Sequence, residues 1–249
     1  MYIRRLSATR VNDHNITGVE KMSEINLNSN LNSCIIGNVP NGEVKAVNSE
    51  RDRVNEIVML EWQAFDKVEN EGGRASCQDD WPTFSIMRQS QYETWTDEML
   101  DSYIDDFYSA NEQGWNLITE KYARMEESTA PEEYAKIKDA LPPVSDTKKA
   151  IVDQIADIQV GWMEEFAAKY PKAAGNARKI HSSEDTPIDT SYETYLRGEI
   201  MTYSDRTLAL YGQFIVKLAG MGKNLAFMIM DNTARAYGYD GLDALEAGL

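Results

Sequence analysis

The segment IVDQIADIQVGWMEEF, residues 151–166, decides the fold class. Its large apolar residues recur every three or four positions, a spacing that places them on one face of an α-helix. They are Ile151, Ile155, Ile158, Trp162 and Phe166. Residues 54–65 and 208–218 show the same spacing, and residues 225–230 are apolar nearly all round, which predicts a helix packed on every side. We therefore expect an all-α protein.

Residues that favour helix N-termini stand where these helices are expected to begin. Thr96, Ser145 and Ser204 have side chains that can accept a hydrogen bond from the first turn of a helix. Asn116 and Asn224 each follow a glycine closely and are predicted to do the same. The sequence therefore predicts several separate helices joined by short turns.

Four short strings occur twice in the same order, which predicts an internal repeat. The pairs are SQYETW (90–95) with TSYETY (190–195), Trp62 with Trp162, DDWP (79–82) with EDTP (184–187), and GWNL (114–117) with GKNL (222–225). We expect two pseudo-symmetric helical repeats, residues 54–141 and 144–240, in one compact helical domain, residues 54–249. They are expected to pack face to face, because one half alone would leave apolar surface uncovered.

Residues 1–53 differ in composition from the rest of the chain. They carry nine asparagines, and their apolar residues lack helical spacing. A short strand pair around Cys34 and residues 43–47 is compatible with the turn signal in residues 38–42. We interpret this segment as a weakly ordered, Asn-rich extension, with Met22 as an alternative start of the protein.

The net charge and the lengths of the apolar runs argue against nucleic acid and membrane as partners. Acidic residues outnumber basic ones 41 to 25, for a formal net charge of −16, whereas nucleic-acid binding depends on lysine and arginine. No apolar run approaches the roughly 20 residues that span a bilayer. Cys34 and Cys77 belong to no CxxC pair, and no apolar block follows the basic start. We expect a cytoplasmic protein that binds neither nucleic acid nor membrane.

Several longer strings resemble a bacterial family catalogued only as a domain of unknown function. These strings are residues 73–84, 116–125, 159–166, 181–186 and 193–199. The resemblance runs from about Val54 to Tyr239 and leaves the first 53 residues outside it. It implies a bacterial protein with a defined fold, and it brings no activity or catalytic residues with it.

The repeated acidic loops are the first candidate site. If a pseudo-two-fold axis relates the halves, Asp79 and Asp80 come from one loop and Glu184 and Asp185 from the other, facing one cleft. Clustered carboxylates bind hard cations or shift one another's pKa values so that they act as acid and base. Each pair also lies just before a proline, which is typical of a helix N-cap, and capping is the more common reason for such a pattern.

Cys77 and His181 lie two and three residues before the acidic pairs. A thiolate and an imidazole near carboxylates predict a Cys–His nucleophile pair or a divalent-metal site, with Asp80, His181 and Glu184 as the ligands. The alternative is that Cys77 is a small buried residue and His181 a hydrogen-bonding loop residue. Glu-x-x-His and His-Glu-x-x-His motifs are missing from the sequence, which favours this alternative.

Glu61 falls in an apolar row with Ile57 and Phe65, and we expect it at the rim of its helix because unpaired buried acids are costly. Glu93 and Glu193 recur within the repeated string, and the same rim placement is expected of them. Four arginines are candidate partners that would make these acids a structural ion-pair network. They are Arg74, Arg88, Arg178 and Arg197.

Two functions are compatible with these patterns. The first is an enzyme or a protein that binds a small cationic or metal-bound ligand in an acidic site between the two repeats. Its site residues would be Cys77, Asp79, Asp80, His181, Glu184 and Asp185. The second is a non-catalytic helical interaction module in which the repeated acids only cap helices. No motif in the sequence specifies a reaction, a substrate or an oligomeric state.

Overall fold

The computed structural model describes residues 49–69 and 73–249, which form eleven α-helices and three short 3-10 helices. The helices are α1 Glu50–Asp66, α2 Trp81–Tyr92, α3 Asp97–Glu112, α4 Leu117–Thr129, α5 Pro131–Ile137, α6 Asp146–Lys169, α7 Pro171–Gly175, α8 Tyr192–Met201, α9 Asp205–Gly220, α10 Leu225–Ala236 and α11 Leu242–Gly248. These residues contain no β-strand, only an isolated bridge between Thr186 and Asp189. The all-α prediction is confirmed.

The helical region begins before the expected boundary at Val54. Helix α1 starts at Glu50, and Ser49 and Asp52 form a capping box that fixes this start. The predicted strand pair around Cys34 and the rest of the Asn-rich segment up to residue 48 lie outside the described residues. Within the part that is described, every helix is too short or too polar to span a lipid bilayer.

All five predicted N-caps are confirmed. The side chains of Thr96, Ser145 and Ser204 each accept a hydrogen bond from a backbone N–H in the first turn of α3, α6 and α9. Asn116 and Asn224 each accept two such bonds, at the starts of α4 and α10. These ends are predictable because a cap depends on residues only two or three positions away.

The buried face of α6 differs from the predicted stripe. Ile151 is 38% exposed, whereas its neighbour Val152 is fully buried. The buried residues of this helix are Val152, Ile155, Ala156, Gln159, Trp162, Met163 and Phe166. Helix α10 is likewise packed on part of its surface only, with residues 227–229 half-buried. The reason is that α6 and α10 pack against each other and leave one flank of each helix outward.

Residues 50–140 and residues 146–248 share a series of elements in the same order, although the short helix α7 follows the long helix only in the second part. Each half has a long helix, a 3-10 helix, a short helix and a pair of helices joined by a turn. Helices pack across the halves in matching combinations: α4 lies on α8, α2 lies on α10, and α3 lies on α9.

Two of the four repeated strings do not occupy equivalent positions. The side chain of Asn116 donates to the carbonyl of Ala64, and that of Asn224 donates to the carbonyl of Trp162. Trp162 therefore corresponds to Ala64 rather than to Trp62. The string at 90–95 likewise ends helix α2, whereas the string at 190–195 begins helix α8.

A glycine allows close contact between α4 and α8. A Cβ atom at Gly198 would lie 2.7 Å from Cγ of Met125 and 3.0 Å from the carbonyl oxygen of Lys121. Both distances are below ordinary van der Waals contact, and the second atom is backbone that cannot move aside cheaply. Helices α4 and α8 are therefore held at a separation that only glycine permits.

We expect Gly198→Ala to lower the free energy of unfolding by about 1–3 kcal/mol, because the added methyl group overpacks this contact. The matched control is Gly161→Ala within α6, where no described atom lies within 4 Å of an added Cβ. That substitution should raise stability by roughly 0.5–1 kcal/mol, since alanine favours the helix. Urea unfolding measures both values, and equal effects of the same sign would contradict the close-contact interpretation.

Candidate functional site

The first acidic loop is occupied by structural contacts. The carboxylate of Asp79 accepts a hydrogen bond of 2.8 Å from Nε of Arg74. Asp80 caps helix α2 by accepting a hydrogen bond from the backbone N–H of Thr83 at 3.2 Å. The capping alternative is therefore confirmed for Asp80.

The second acidic loop is held in a different way. Glu184 lies 3.8 Å from Nζ of Lys179, and Asp185 accepts three hydrogen bonds. The donors to Asp185 are the backbone N–H of Ser191 and the hydroxyls of Thr194 and Ser128. Burial raises the pKa of Asp185, but these hydrogen bonds outweigh it and leave the pKa below its ordinary value. No described helix begins at Asp185, so Asp185 is not an N-cap. Its hydrogen bond with Ser128 connects its loop to α4 instead.

The predicted metal ligands are not gathered into one group. Cys77 is a free thiol packed at the edge of the core, and Nε2 of His181 lies 3.1 Å from a carboxylate oxygen of Glu164. The described residues contain no group of three or more His, Cys, Asp or Glu that could hold a metal ion. Asp80, His181 and Glu184 therefore do not form a ligand set here. A catalytic role for the six residues of the acidic loops stays a prediction.

Four charged side chains are instead buried together at the junction of the two halves. We call Glu61, Arg88, Lys121 and Glu199 the ionic cluster. Their exposed fractions are 1%, 7%, 3% and 4%, and they come from α1, α2, α4 and α8 in that order. Charged residues are almost never this deeply buried unless they are paired.

The guanidinium of Arg88 is the centre of the ionic cluster. It donates to both carboxylate oxygens of Glu61, at 2.5 and 2.6 Å, and to both of Glu199, at 3.1 and 3.2 Å. Nζ of Lys121 donates to Glu199 at 2.6 Å. One planar group thus joins a carboxylate from each half, a geometry that arginine provides and lysine does not.

Neutral side chains satisfy the remaining acceptors of the ionic cluster. The hydroxyls of Tyr92 and Tyr103 donate to Glu61 at 2.7 and 3.3 Å. The hydroxyl of Tyr203 and the amide of Gln91 donate to Glu199 at 3.2 and 2.9 Å. Two carboxylates and two cations therefore form a buried, charge-balanced and hydrogen-bonded group.

The electrostatics keep both central partners charged. Burial raises the pKa of Glu199, but the charges of Arg88 and Lys121 and their hydrogen bonds together hold it well below the usual value of 4.5. Burial lowers the pKa of Arg88, but Glu199 and Glu61 raise it above its ordinary value. Arg88 and Glu199 are therefore both ionised at neutral pH.

The position of Glu61 corrects the sequence-based expectation. We expected this acid at a helix rim, but it is almost fully buried because Arg88 pairs with it. The pairing with Arg88 was among the expected ones, and that of Arg197 with Glu193 is also present. Sequence analysis missed Lys121 and Glu199 because nothing in their local pattern distinguishes them from exposed helical residues.

A cavity of about 80 Å³ lies beside the ionic cluster. Helix α2 of the first half covers it on one side, and α6, α8, α9 and α10 of the second half form the rest of its wall. Its polar lining includes Arg88, Gln91, Gln159, Tyr195 and Glu199, and its apolar lining includes Met87, Met163, Leu196, Leu225, Ile229 and Met230. A small number of polar groups in an apolar wall is typical of ligand sites.

Gln159, a residue of the cavity wall, carries a buried donor that has no partner among the described residues. Its side chain is 97% buried, and its Oε1 accepts a hydrogen bond of 3.0 Å from the hydroxyl of Tyr211. Its Nε2 donates to no atom of the described residues. A buried N–H without a partner costs about 1–3 kcal/mol, so a bound acceptor at this position would be stabilised.

We expect Arg88→Met to lower the free energy of unfolding by about 3–5 kcal/mol, because it leaves two buried carboxylates without their shared cation. Arg235→Met is the control, since Arg235 pairs with Asp231 and Asp240 at the surface, and it should change stability little. Urea denaturation of both variants measures the difference. Similar effects in the two variants would contradict a stabilising role of the ionic cluster.

The depressed pKa of Glu199 also predicts a pH dependence. At a pH below 4.5, the ordinary pKa of a glutamate, Glu199 binds a proton in the unfolded chain but not in the folded one. The free energy of unfolding should therefore fall as the pH decreases below about 4.5. Glu199→Gln should reduce that slope, because the titrating group is gone. Unfolding free energies measured from neutral pH to below 4.5 test this, and an unchanged slope in the variant would show that other groups carry it.

Comparisons with known proteins support a family and no function. No curated protein and no solved structure matches the chain significantly. One family model matches residues 51–247, which span almost all of the described residues. The chain therefore belongs to the family described as "Protein of unknown function (DUF4125)".

Proposed function

We propose that this protein binds a small molecule in the cavity between two pseudo-symmetric halves. The observation that carries the proposal is the buried, unpartnered Nε2 of Gln159, a residue of the largely apolar wall beside the ionic cluster. The volume of about 80 Å³ is roughly half of the 150 Å³ of an apolar cavity that binds benzene. The ligand, or the part of it that enters, therefore has only a few non-hydrogen atoms.

The packing of four central rings supports the pseudo-two-fold relation. The rings of Trp95 and Tyr211 lie 5.5 Å apart, and the corresponding rings of Tyr203 and Tyr103 lie 5.0 Å apart. Within the halves, Trp95 lies 5.6 Å from Tyr103, and Tyr203 lies 5.7 Å from Tyr211. Matching pairs with matching distances are what a two-fold axis through this cluster produces.

The proposal moves the site from the acidic loops to the helical interior. Asp80 and Asp185 have structural roles that explain their hydrogen bonds, so the cavity needs no contribution from them. A bacterial, cytoplasmic binding protein is the setting we propose, with no nucleic acid or membrane as partner. The net charge of −16 supports the exclusion of nucleic acid.

We expect small neutral probes to shift the methyl resonances of Met163 and Met230, which line the cavity, in a saturable way. Acetone and isobutene are suitable, and dissociation constants weaker than about 40 μM are expected, because four heavy atoms at a ceiling of about 1.5 kcal/mol each give at most about 6 kcal/mol. The methyl group of Met99, buried outside the cavity, is the internal control. Equal shifts of all three methyls would indicate solvent effects and contradict the proposal.

A pair of variants ties this binding to the cavity. Ala226→Leu adds three carbon atoms to a residue of the cavity wall and should abolish the saturable shifts. Ala219→Leu adds the same atoms at an exposed position of α9 and should leave them unchanged. Binding that survives Ala226→Leu, or that no probe shows in the unmodified protein, would overturn the proposal and favour the interaction-module alternative.

A further inference from the structure

The two halves hold equivalent residues around Gln159, and this comparison indicates what the cavity accepts. The side-chain amide of Asn116 donates to the carbonyl of Ala64, and that of Asn224 donates to the carbonyl of Trp162. Ala64 and Trp162 therefore hold equivalent positions in the two halves. Counting three residues back from each places Glu61 and Gln159 at equivalent positions. The hydroxyl of Tyr103 donates to Glu61, and that of Tyr211, the seventh residue of its helix as Tyr103 is of its own, donates to Gln159.

The equivalent of Arg88 follows from the next pair of contacts. The hydroxyl of Thr94 donates to the carbonyl of Gln91, and that of Thr202 donates to the carbonyl of Glu199. Gln91 and Glu199 therefore correspond, and the residue three positions before each is Arg88 in α2 and Leu196 in α8.

The cavity thus lies where the second half has no counterpart of an arginine head group. In the first half, Arg88 fills the space beside Glu61 and bonds to it. In the second half, Leu196 is shorter and apolar, Gln159 replaces the acid, and both residues line the cavity. We infer that the ligand occupies the pseudo-symmetric place of the Arg88 head group, and that it is a small neutral carbonyl compound whose oxygen accepts a hydrogen bond from Nε2 of Gln159. This inference rests on the proposed binding function.

The hydrogen bonds determine the polarity of the ligand. A carboxylate only accepts, so the hydroxyl of Tyr103 must donate to Glu61. The equivalent hydroxyl of Tyr211 donates to Oε1 of Gln159, which leaves Nε2 as the group without a partner among the described residues. The ligand atom at that position is therefore an acceptor.

The charges of the wall determine the charge of the ligand. Arg88 and Glu199 line the cavity, and both belong to the ionic cluster, in which two cations already balance two carboxylates. A charged ligand would enter without a counter-charge, and an unpaired buried charge is costly. A neutral polar group with an apolar body fits this wall.

Four planar, Y-shaped probes of the same size test the inference. They are acetone, isobutene, acetate and guanidinium, and titrations followed at the side-chain amide of Gln159 and the methyl of Met163 report binding. We expect acetone to bind roughly tenfold more tightly than isobutene, because only acetone satisfies the amide. Acetate and guanidinium are expected to bind more weakly than acetone.

The outcomes separate this inference from the proposed function. If isobutene binds as tightly as acetone, the cavity is a binding site but the acceptor inference is wrong. If guanidinium or acetate binds more tightly than acetone, the ligand is a charged one and the inference is equally wrong. If none of the four probes binds, both the inference and the proposed function fail.

Two variants test the roles of the residues. Gln159→Met keeps the length of the side chain and removes the donor, so it should abolish the preference for acetone over isobutene. The double substitution Leu196→Arg with Gln159→Glu installs the residues of the first half in the second and should abolish binding of every probe while the protein remains folded. The inference is wrong if the double variant binds acetone as tightly as the unmodified protein does. It is also wrong if Gln159→Met still prefers acetone over isobutene.

Discussion

A single guanidinium shared by two buried carboxylates constrains the arrangement of the central helices. Arg88 lies between Glu61 of the first half and Glu199 of the second, and Lys121 completes the charge balance. Such a group is stable only when every charge has its partners, since burial removes the water that would otherwise solvate it. The helices α1, α2, α4 and α8 must therefore meet in one arrangement, and the close contact at Gly198 brings two of them together.

Under the proposed pseudo-symmetry, the cavity results from a difference between the two halves in these buried charged residues. The first half uses its buried acid and arginine to fill the space beside its long helix. The second half carries a neutral amide at Gln159 and an alkyl group at Leu196, which have no charge to compensate and do not fill the same volume. In the proposed pseudo-symmetry, these different side chains give one occupied position and one open position. The difference between the halves, rather than their similarity, is what suggests a function.

Local features of the fold could be predicted from the sequence, whereas the ionic cluster could not. The caps at Thr96 and Asn116 depend on neighbours within one helical turn, so the sequence specifies them. Glu61 stood out because it interrupts an apolar row, but its burial depends on Arg88, which lies in another helix. Glu199 and Lys121 carry no local signal, and repeated strings that align by identity, such as the one containing Tyr92, proved to lie at different ends of their helices.

In the first half, the side chain of Arg88 fills the space beside Glu61. This half therefore provides a template for the shape of molecules that would enter the cavity of the second half. Arg88 reaches its acid through an unbranched chain of three methylene groups that ends in a flat head, and the proposed pseudo-symmetry transfers the outline of that head to the cavity. A small compound with a flat polar end would take the place of that head group, beyond the end of the Leu196 side chain. Under the proposed pseudo-symmetry, the flat head of Arg88 is a covalently attached mimic of the ligand proposed for the other half.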